Sequence, residues 1–300
     1  MMKNKGHKSG FVNIIGYPNV GKSTLMNALL GERMSIITNK PQTTRHRIIG
    51  IWNDDMHQIV FSDTPGIIDS PHYKMQESMN TFAYSTFEDA DVMIYMTDVL
   101  EEQKIEEKAL KKLQKLKVPV FLLINKIDRS SQERVEEAIE YWKSVFSFTH
   151  IFPVSALEKE GLEKIINEIK AHLPLNPPYY PKDQLTDKSE RFFVSEIIRE
   201  KILELYHQEV PYSCEVIVTS FKEGESRNGP IVRIAAEIYV SRKTQKSIII
   251  GKGGSMIKKL GMESRKAIQT FLDQNVFLEL HVRVKEDWRD SERELKHFGY

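Results

Sequence analysis

The stretch GYPNVGKS, Gly16 to Ser23, decides the fold of the N-terminal part of this chain. It fits the phosphate-loop pattern G-x-x-x-x-G-K-[S/T], and it lies between an apolar strand and a helical stretch, as that pattern requires. Glycines let backbone N–H groups turn inward around phosphate oxygens, and the helix N-terminus adds a positive dipole end. Lys22 would neutralise β- and γ-phosphates, and the Ser23 hydroxyl would ligate Mg²⁺. The alternative is a glycine-rich turn that binds nothing.

Short apolar runs alternate with helical patterns on both sides of this loop. The predicted strands are Phe11–Ile15, His57–Ser62, Asp91–Asp98, Val118–Ile124 and Ile151–Ser155. Long amphipathic stretches lie between the later ones, at 101–117 and 131–146, which predicts a mostly parallel sheet with helices on both faces. RIIGIWNDDMHQIVFS differs, because its two alternating runs predict a hairpin and therefore one antiparallel edge strand.

Three further motifs follow predicted strands in the order that a nucleotide site needs. DTPG (Asp63–Gly66) offers a carboxylate for the magnesium shell and the Gly66 N–H for a γ-phosphate. NKID (Asn125–Asp128) places the Asp128 carboxylate where its two oxygens can accept from the N1–H and N2–H₂ donors of guanine. SAL (Ser155–Leu157) can present backbone N–H groups to guanine O6. Together, at the carboxyl ends of strands, they predict a guanine-nucleotide site.

The second half of the chain has a different pattern. LPLNPPYYPKDQLTD (Leu173–Asp187) contains four prolines and is predicted to be a linker. A helix, two strands, a second helical stretch and a last strand follow, which indicates a small α+β domain. The segment from Ser241 to Lys266 contains eight basic residues and one acidic residue. This basic segment includes a G-x-x-G motif, GKGG (Gly251–Gly254). Such glycines permit close approach to nucleic-acid phosphates, although a structural turn under a solvated basic face is the alternative.

Composition excludes several other classes of protein. At 300 residues, with 40% hydrophobic and 28% charged residues, the chain has the length of two globular domains. A single cysteine forms no internal disulfide, and no Cys/His cluster has zinc spacing, so a cytoplasmic protein without a structural zinc site is expected. No transmembrane run is present, and the apolar run after the basic start MMKNKGHKSG is broken at Gly16 and Pro18, too early for a signal peptide.

The four nucleotide motifs resemble those of translation-factor GTPases, and QTTRH (Gln42–His46) resembles switch I of the bacterial Era family. The resemblance implies that one threonine of this segment closes over Mg²⁺; Thr44 is preferred and Thr43 is the alternative. Ile67 follows DTPG where Ras-like enzymes carry a water-orienting glutamine, so slow intrinsic turnover is expected. The resemblance to potassium-stimulated GTPases makes Asn19 a candidate K⁺ ligand, with a turn asparagine as the alternative.

The pattern of the second half resembles a type II KH domain, which the Era family carries at its C-terminus. The expected division is therefore a GTPase domain at 1–173, a proline-rich linker at 174–187 and a KH-type RNA-binding domain at 188–300. The expected RNA-binding residues surround GKGG: Ile249, Ile250, Gly251, Lys252, Gly253, Gly254, Lys258 and Lys259.

The expected nucleotide residues come from the four motifs and their neighbours. Those assigned to GTP are Gly16, Tyr17, Pro18, Asn19, Val20, Gly21, Lys22, Ser23, Thr24, Asp63, Thr64, Pro65, Gly66, Ile67, Asn125, Lys126, Asp128, Ser155, Ala156 and Leu157. Lys22, Thr44 and Gly66 are assigned to catalysis, and Ser23, Thr44 and Asp63 to Mg²⁺.

The resemblance implies a GTP-hydrolysing, RNA-binding switch that acts on the 3′ end of 16S rRNA during assembly of the small (30S) ribosomal subunit. Its expected ligands are GTP or GDP, Mg²⁺ and K⁺, and the expected state is a cytoplasmic monomer. Two alternatives remain open: an RNA adaptor with GTP as a structural ligand, and a membrane-coupled signalling GTPase at the inner face of the cell membrane.

Overall fold

A computed structural model describes residues 6–226 and 229–300, so residues 1–5, half of the basic start MMKNKGHKSG, lie outside the described residues. The chain divides into two compact units. Of the described residues, the first unit contains those within 6–71 and 76–187, and the second contains those within 72–75 and 188–300.

The first unit is built on a six-stranded sheet of order β2-β3-β1-β4-β5-β6. Its strands are β1 (Lys8–Gly16), β2 (Ile48–Asn53), β3 (His57–Asp63), β4 (Val92–Asp98), β5 (Val120–Asn125) and β6 (His150–Pro153). The helices between them are α1 (Lys22–Leu30), α2 (Lys74–Ser85), α3 (Glu107–Leu113), α4 (Gln132–Val145) and α5 (Leu162–His172). All strand pairs are parallel except β2 with β3, which confirms both the mostly parallel sheet and the antiparallel edge strand.

Burial explains why the strands read as they do. Every residue of β4 and of β5 is buried, as expected of continuous apolar runs in the middle of a parallel sheet. One core cluster joins Tyr95 of β4 and Ile124 of β5 to Ala138 and Trp142 of α4. Because these strands are fixed by packing, the turns at their carboxyl ends are held in place as well.

Two segments of the first unit differ from the sequence-based expectation. The helix predicted over 101–117 forms only at Glu107–Leu113, because the Asp98 carboxylate accepts the N–H groups of Leu100 and Glu101 and holds the preceding residues in a loop. The proline-rich segment contains no helix or long strand, but it bonds to the sheet of this unit. The N–H of Ile51 donates to Leu185, for example.

The second unit packs helices on a three-stranded sheet of order β7-β8-β9, antiparallel between the first two strands and parallel between the last two. Its elements are α6 (Glu190–Leu205), β7 (Cys214–Ser226), β8 (Gly229–Val240), α7 (Lys243–Ile250), α8 (Ser255–Leu272), β9 (Asn275–Val284) and α9 (Glu292–His297). The predicted elements occur in the predicted order, and α7 and α9 are additional helices that the prediction did not contain. α8 is continuous through Gly261.

Hydrophobic residues from α6, α7, α8 and all three strands form a single core in this unit, and the buried Cys214 lies within it and donates its S–H to the carbonyl oxygen of Val210. Among the residues that the structure describes, no helix has the length and apolar character needed to cross a bilayer.

Candidate nucleotide site and nucleic-acid interface

The phosphate loop is a tight turn between β1 and α1. Gly21, directly before the helix, has φ 102°, and a Cβ there would collide with the Asn125 amide. Gly66 of DTPG approaches the loop equally closely, because a Cβ on it would collide with the backbone of Pro18. Both glycines are therefore required by close backbone approach.

Lys22 lies at the start of α1 and points back into the loop. Its ammonium donates to the carbonyl oxygens of Gly16 and Tyr17, at 3.2 and 2.8 Å. The residue is only 6% exposed, and this burial lowers the pKa of Lys22 to about 8, while the nearby Asp63 acts in the opposite direction. A buried cation bonded to neutral carbonyls can exchange them for phosphate oxygens.

The three residues expected to hold Mg²⁺ converge on one point. The Ser23 hydroxyl donates to Asp63 Oδ2 at 2.6 Å and lies 2.8 Å from the Thr44 hydroxyl, which is 3.4 Å from the same carboxylate oxygen. Asp63 is fully buried, which raises the pKa of its carboxyl group. Its other oxygen, Oδ1, has no hydrogen-bond partner among the described residues. Three oxygen ligands and one unsatisfied carboxylate oxygen match the preference of Mg²⁺.

The adjacent threonines of QTTRH face different partners. Thr43 Oγ1 donates to the carbonyl oxygen of Lys40 at 2.6 Å and lies 2.7 Å from the Thr38 hydroxyl. Thr44, by contrast, reaches Ser23 and Asp63. The structure thus brings Thr44, and not Thr43, to the cluster of oxygen ligands.

Asn125, the first residue of NKID, ties three loops together. Its Nδ2 donates to Val20 of the phosphate loop at 2.8 Å, and its Oδ1 accepts the Ala156 N–H at 2.9 Å. The Ser155 N–H donates to Glu160, so two of the three SAL amides are engaged within the protein. Leu157, which is 70% exposed, is the member of SAL that lines the cavity.

Asp98, at the end of β4, is a site residue that motif analysis missed. Its buried carboxylate forms an ion pair with Lys126 at 2.7 Å, and Lys126 itself has a left-handed backbone with φ 63°. This pair holds the backbone that carries Asp128, whose exposed side chain lines the cavity. The only signal in the sequence was a polar residue at a strand end.

A cavity of about 580 Å³ joins these parts. Of the expected nucleotide and metal residues, those that line it are Pro18, Asn19, Gly21, Lys22, Ser23, Thr24, Thr44, Thr64, Gly66, Asn125, Lys126, Asp128 and Leu157. The remaining ones, which do not line it, are Gly16, Tyr17, Val20, Asp63, Pro65, Ile67, Ser155 and Ala156. Residues that the motifs did not indicate also line it: Ile36, Ile37, Thr38, Asn39, Leu100, Glu101 and Arg129.

Ile67 and Asn19, the two residues that the sequence connects with the rate of hydrolysis, differ in their exposure. Ile67 is 3% exposed and packs in the core, while its N–H donates to Gly16 at 3.0 Å. Asn19 is exposed with φ 65°, and its side-chain amide donates to Asn39 at 3.4 Å. Ile67 thus has neither the chemistry nor the exposure to orient a water molecule.

In the second unit, GKGG forms the turn between α7 and α8. Gly251, Gly253 and Gly254 all have positive φ, at 73°, 60° and 79°. Lys252 between them is exposed, and a Cβ on Gly253 or Gly254 would meet only open space. The turn therefore presents bare backbone beside a lysine.

An open groove of about 360 Å³ follows this turn, between α8 and β9. It is lined by Ile257, Lys258, Gly261, Met262, Arg265, Leu278 and Leu280. Exposed cations beside apolar side chains suit a strand of unstacked bases. Of these residues only Lys258 was expected; the others come together because α8 packs on β9.

Ile249 is a correction to the expected RNA-binding set. It is fully buried in the core of the second unit, whereas Ile248 is 49% exposed and Ile250 is half-buried. Consecutive residues of a helix point about 100° apart, so three isoleucines in a row on α7 cannot all face one groove. Lys252, Lys258 and Lys259 are exposed as expected.

Comparison with known proteins defines the class. Residues 11–126 match the family described as 50S ribosome-binding GTPase, and residues 209–289 match the KH domain family. The chain is thus a P-loop GTPase joined to a KH domain, which also confirms the predicted fold class.

Full-length relatives narrow the class further. GTPase Era of Geotalea uraniireducens (strain Rf4) is 46% identical over 300 residues, covering 100% of both chains. GTPase Era of Syntrophus aciditrophicus (strain SB) is 45% identical over 296 residues, covering 98% of this chain and 95% of the relative. The chain belongs to the Era family of GTPases.

Two solved structures share the whole fold. A crystal structure of Era in complex with MgGDPNP and nucleotides 1506–1542 of 16S ribosomal RNA has a TM-score of 0.92 at 37% identity, covering 98% of this chain and 99% of that one. A structure of a variant of Aquifex aeolicus Era bound to GDP·AlF₄⁻ has the same TM-score at 38% identity and the same coverage.

Proposed function

We propose that this GTPase is a switch whose KH domain binds the single-stranded 3′ end of 16S rRNA, and that it acts in assembly of the 30S subunit. The observation that carries the proposal is the occurrence, in one chain, of a cavity lined by Lys22, Ser23 and Asp128 and of an open basic groove near GKGG. The related Era structure that holds both MgGDPNP and a 16S rRNA segment supports it.

In the proposed site Ser23, Thr44 and Asp63 hold Mg²⁺, and Lys22 contacts the β- and γ-phosphates. Bound Mg²⁺ bridges phosphate oxygens and offsets the charge that develops during transfer. Lys22 gives up its bonds to Gly16 and Tyr17 for the phosphates, and the N–H of Gly66 senses the γ-phosphate. The short contacts among the three oxygen ligands support this arrangement.

Guanine selectivity is proposed to come from Asp128, steadied by the ion pair between Asp98 and Lys126. A carboxylate accepts from both N1–H and N2–H₂ of guanine, and adenine offers no such pair. Because the amides of Ser155 and Ala156 are already engaged, the N–H of Leu157 is the proposed donor to guanine O6.

Hydrolysis is proposed to be slow in isolation and faster with K⁺, with Asn19 as a ligand of the cation. The buried position of Ile67 supports the first part, and the exposure of Asn19 at the cavity supports the second. Turnover should be higher in K⁺ than in Na⁺ at equal ionic strength, and Asn19→Ala should remove the difference. Equal rates in the unmodified protein would remove K⁺ from the mechanism.

RNA is proposed to lie along GKGG and the groove between α8 and β9. The N–H groups of Gly251 and Gly254 already donate to Ser247 and Gly251, so the backbone amides proposed to meet phosphates are those of Lys252 and Gly253. The cations of Lys252, Lys258 and Lys259 would meet phosphates as well, and Ile250 with the apolar groove residues would meet bases. Ile248 replaces the buried Ile249 as the outward isoleucine of α7.

Crosslinking of the GTP-loaded protein to cellular RNA, followed by sequencing of the bound fragments, tests the target. The proposal expects enrichment of the 16S rRNA 3′ end. An equal spread over unrelated RNAs would contradict it. A monomeric state, a cytoplasmic location and peripheral membrane association stay predictions.

A further inference from the structure

Three potential metal ligands meet in the first unit, away from the nucleotide motifs. His150 is the first residue of β6, while Glu168 and His172 lie on α5, four residues apart and hence on one face of the helix. One donor atom from each of the three lies within 4.8 Å of the other two. His150 is at the amino end of a parallel strand, whereas the nucleotide motifs follow the carboxyl ends of the strands. The cluster therefore lies at the opposite end of the strands from the nucleotide motifs.

We propose that His150, Glu168 and His172 bind a divalent transition-metal ion, with Zn²⁺ as the best match. Two imidazole nitrogens and one carboxylate oxygen form a donor set that suits Zn²⁺ and its neighbours in the first transition row. Mg²⁺, which prefers oxygen ligands, is a poor match. The site is thus distinct in chemistry from that of the nucleotide.

The imidazole of His172 is already oriented for ligation. Its Nδ1–H donates to the backbone carbonyl of Glu168 at 2.9 Å, which leaves the lone pair on Nε2. Histidines that bind metals usually make such a bond through their other nitrogen, because it fixes the tautomer and the ring orientation. The buried ring of Phe121 packs edge-on against both His150 and His172, at 81° in each case.

The carboxylate completes the set. Glu168 Oε2 lies 3.4 Å from His150 Nε2, a separation close to that of two ligands on one tetrahedral ion with bonds of about 2.0–2.1 Å. The side chains of His150 and Glu168 are 36% and 34% exposed, so an ion can enter from solvent and water can fill the fourth position.

One neighbouring charge limits the affinity. Lys8 donates to the carbonyl oxygens of Lys170 and Ala171 at the same end of α5, at 3.2 Å each. This cation already compensates the negative end of the helix, so binding must come from the three ligands themselves. A bound ion would join the start of β6 to the last turn of α5 and stabilise the folded first unit.

The test is calorimetric titration of the full chain with ZnCl₂, in excess Mg²⁺ and saturating GDP so that the nucleotide site is occupied. We expect one equivalent of Zn²⁺ to bind. His150→Gln, Glu168→Gln and His172→Gln should each weaken binding at least about tenfold, and the double variant of both histidines should abolish it. Zn²⁺ should raise the Tm of the unmodified protein and not that of the double variant.

His57→Gln is the matched control, because His57 pairs with Asp54 outside the cluster. It should bind Zn²⁺ like the unmodified protein, and all variants should bind GDP equally, which reports an intact fold. If a histidine variant loses GDP binding, Glu168→Gln decides instead. Zn²⁺ binding by the unmodified protein no tighter than by the double variant would overturn the proposal, as would equal weakening in His57→Gln.

Discussion

The side chains at the phosphate end of the nucleotide cavity are buried and hydrogen-bonded, whereas the lysines around GKGG are exposed. Lys22 and Asp63 are 6% and 0% exposed. Asp63 lies in a hydrogen-bonded cluster with Ser23 and Thr44, and Lys22 donates to the carbonyl oxygens of Gly16 and Tyr17. Lys252 and Lys258 are exposed, and Lys252 lies between glycines with positive φ. The first region thus positions single groups before the ligand arrives, and the second supplies charge and open backbone.

This difference in burial predicts how strongly a substitution should act in each region. Loss of one buried group should disable the nucleotide site, because no neighbouring group takes over its contacts and water does not replace the missing group. Loss of one exposed lysine should weaken RNA binding by a small increment that depends on salt.

The largest effect should come from Lys22→Met. Removal of the cation that contacts the β- and γ-phosphates should reduce the rate of GTP hydrolysis by about 10²–10³-fold, the usual scale for one preorganised electrostatic group. Single-turnover phosphate release measures it. Lys117→Met, at an exposed lysine, is the control and should keep the original rate. A loss below tenfold in Lys22→Met would contradict this expectation, because the nucleotide site would then respond to the loss of one group by a small increment, as the groove is expected to do.

The GKGG turn should respond to reversed charge. The double variant Lys252→Asp, Gly253→Asp places two carboxylates on the phosphate path and should weaken binding of a 16S rRNA 3′ fragment on the order of 100-fold at low salt. GTP binding should be unchanged. The variant Lys222→Asp, Gly224→Asp makes the same charge change on β7 and should bind RNA nearly as well as the unmodified protein. An equal loss of RNA affinity in both variants would show that the GKGG turn is not a specific RNA-binding site and that RNA binding depends on the overall charge of this unit.

Asp128→Asn should change which base is bound. An amide donor in place of a carboxylate oxygen opposes the donors of guanine and should cost about 1–3 kcal/mol, or roughly 10–100-fold in GTP affinity. Xanthosine triphosphate, which presents an acceptor at position 2, should gain affinity. Competition binding of both nucleotides measures the change. Retained GTP affinity without any gain for the xanthine nucleotide would contradict the role of Asp128.

The smallest effect concerns pH. Burial lowers the pKa of Lys22 to about 8, and phosphate binding favours the charged form. The affinity for GDP should therefore be constant below pH 8 and fall as the pH rises above it, by about tenfold near pH 9. Lys22→Arg, whose guanidinium stays charged, should not show this fall. Because RNA binding uses exposed cations, it should change little over the same range.

Sequence patterns predicted the parts of the molecule whose chemistry is local. The phosphate loop, the β2–β3 hairpin and the buried strands β4 and β5 are each specified by a few adjacent residues. The helix predicted over 101–117 was too long, since the Asp98 carboxylate and the Glu106 cap move the start of α3 to Glu107. Side-chain contacts of this kind override helical periodicity.

What the sequence could not predict depends on residues that are distant along the chain. Ile249 was assigned to RNA because it stands beside GKGG, but the packing of α7 turns it into the core. Similarly, His150 and His172 have no metal-like spacing, yet β6 and α5 bring them together. Leu280 of β9 lines the groove together with residues of α8 because the pairing of β9 with β8 places it there.

The central proposal is a GTP-hydrolysing switch that binds the 3′ end of 16S rRNA, which implies that RNA binding changes the rate of hydrolysis. Single-turnover phosphate release with and without the 16S rRNA 3′ fragment tests it most directly. The account predicts slow release by the protein alone, faster release with RNA, and no stimulation in the Lys252→Asp, Gly253→Asp variant. Release no faster than that of Lys22→Met, with RNA bound normally, would contradict it and make GTP a structural ligand of an RNA adaptor.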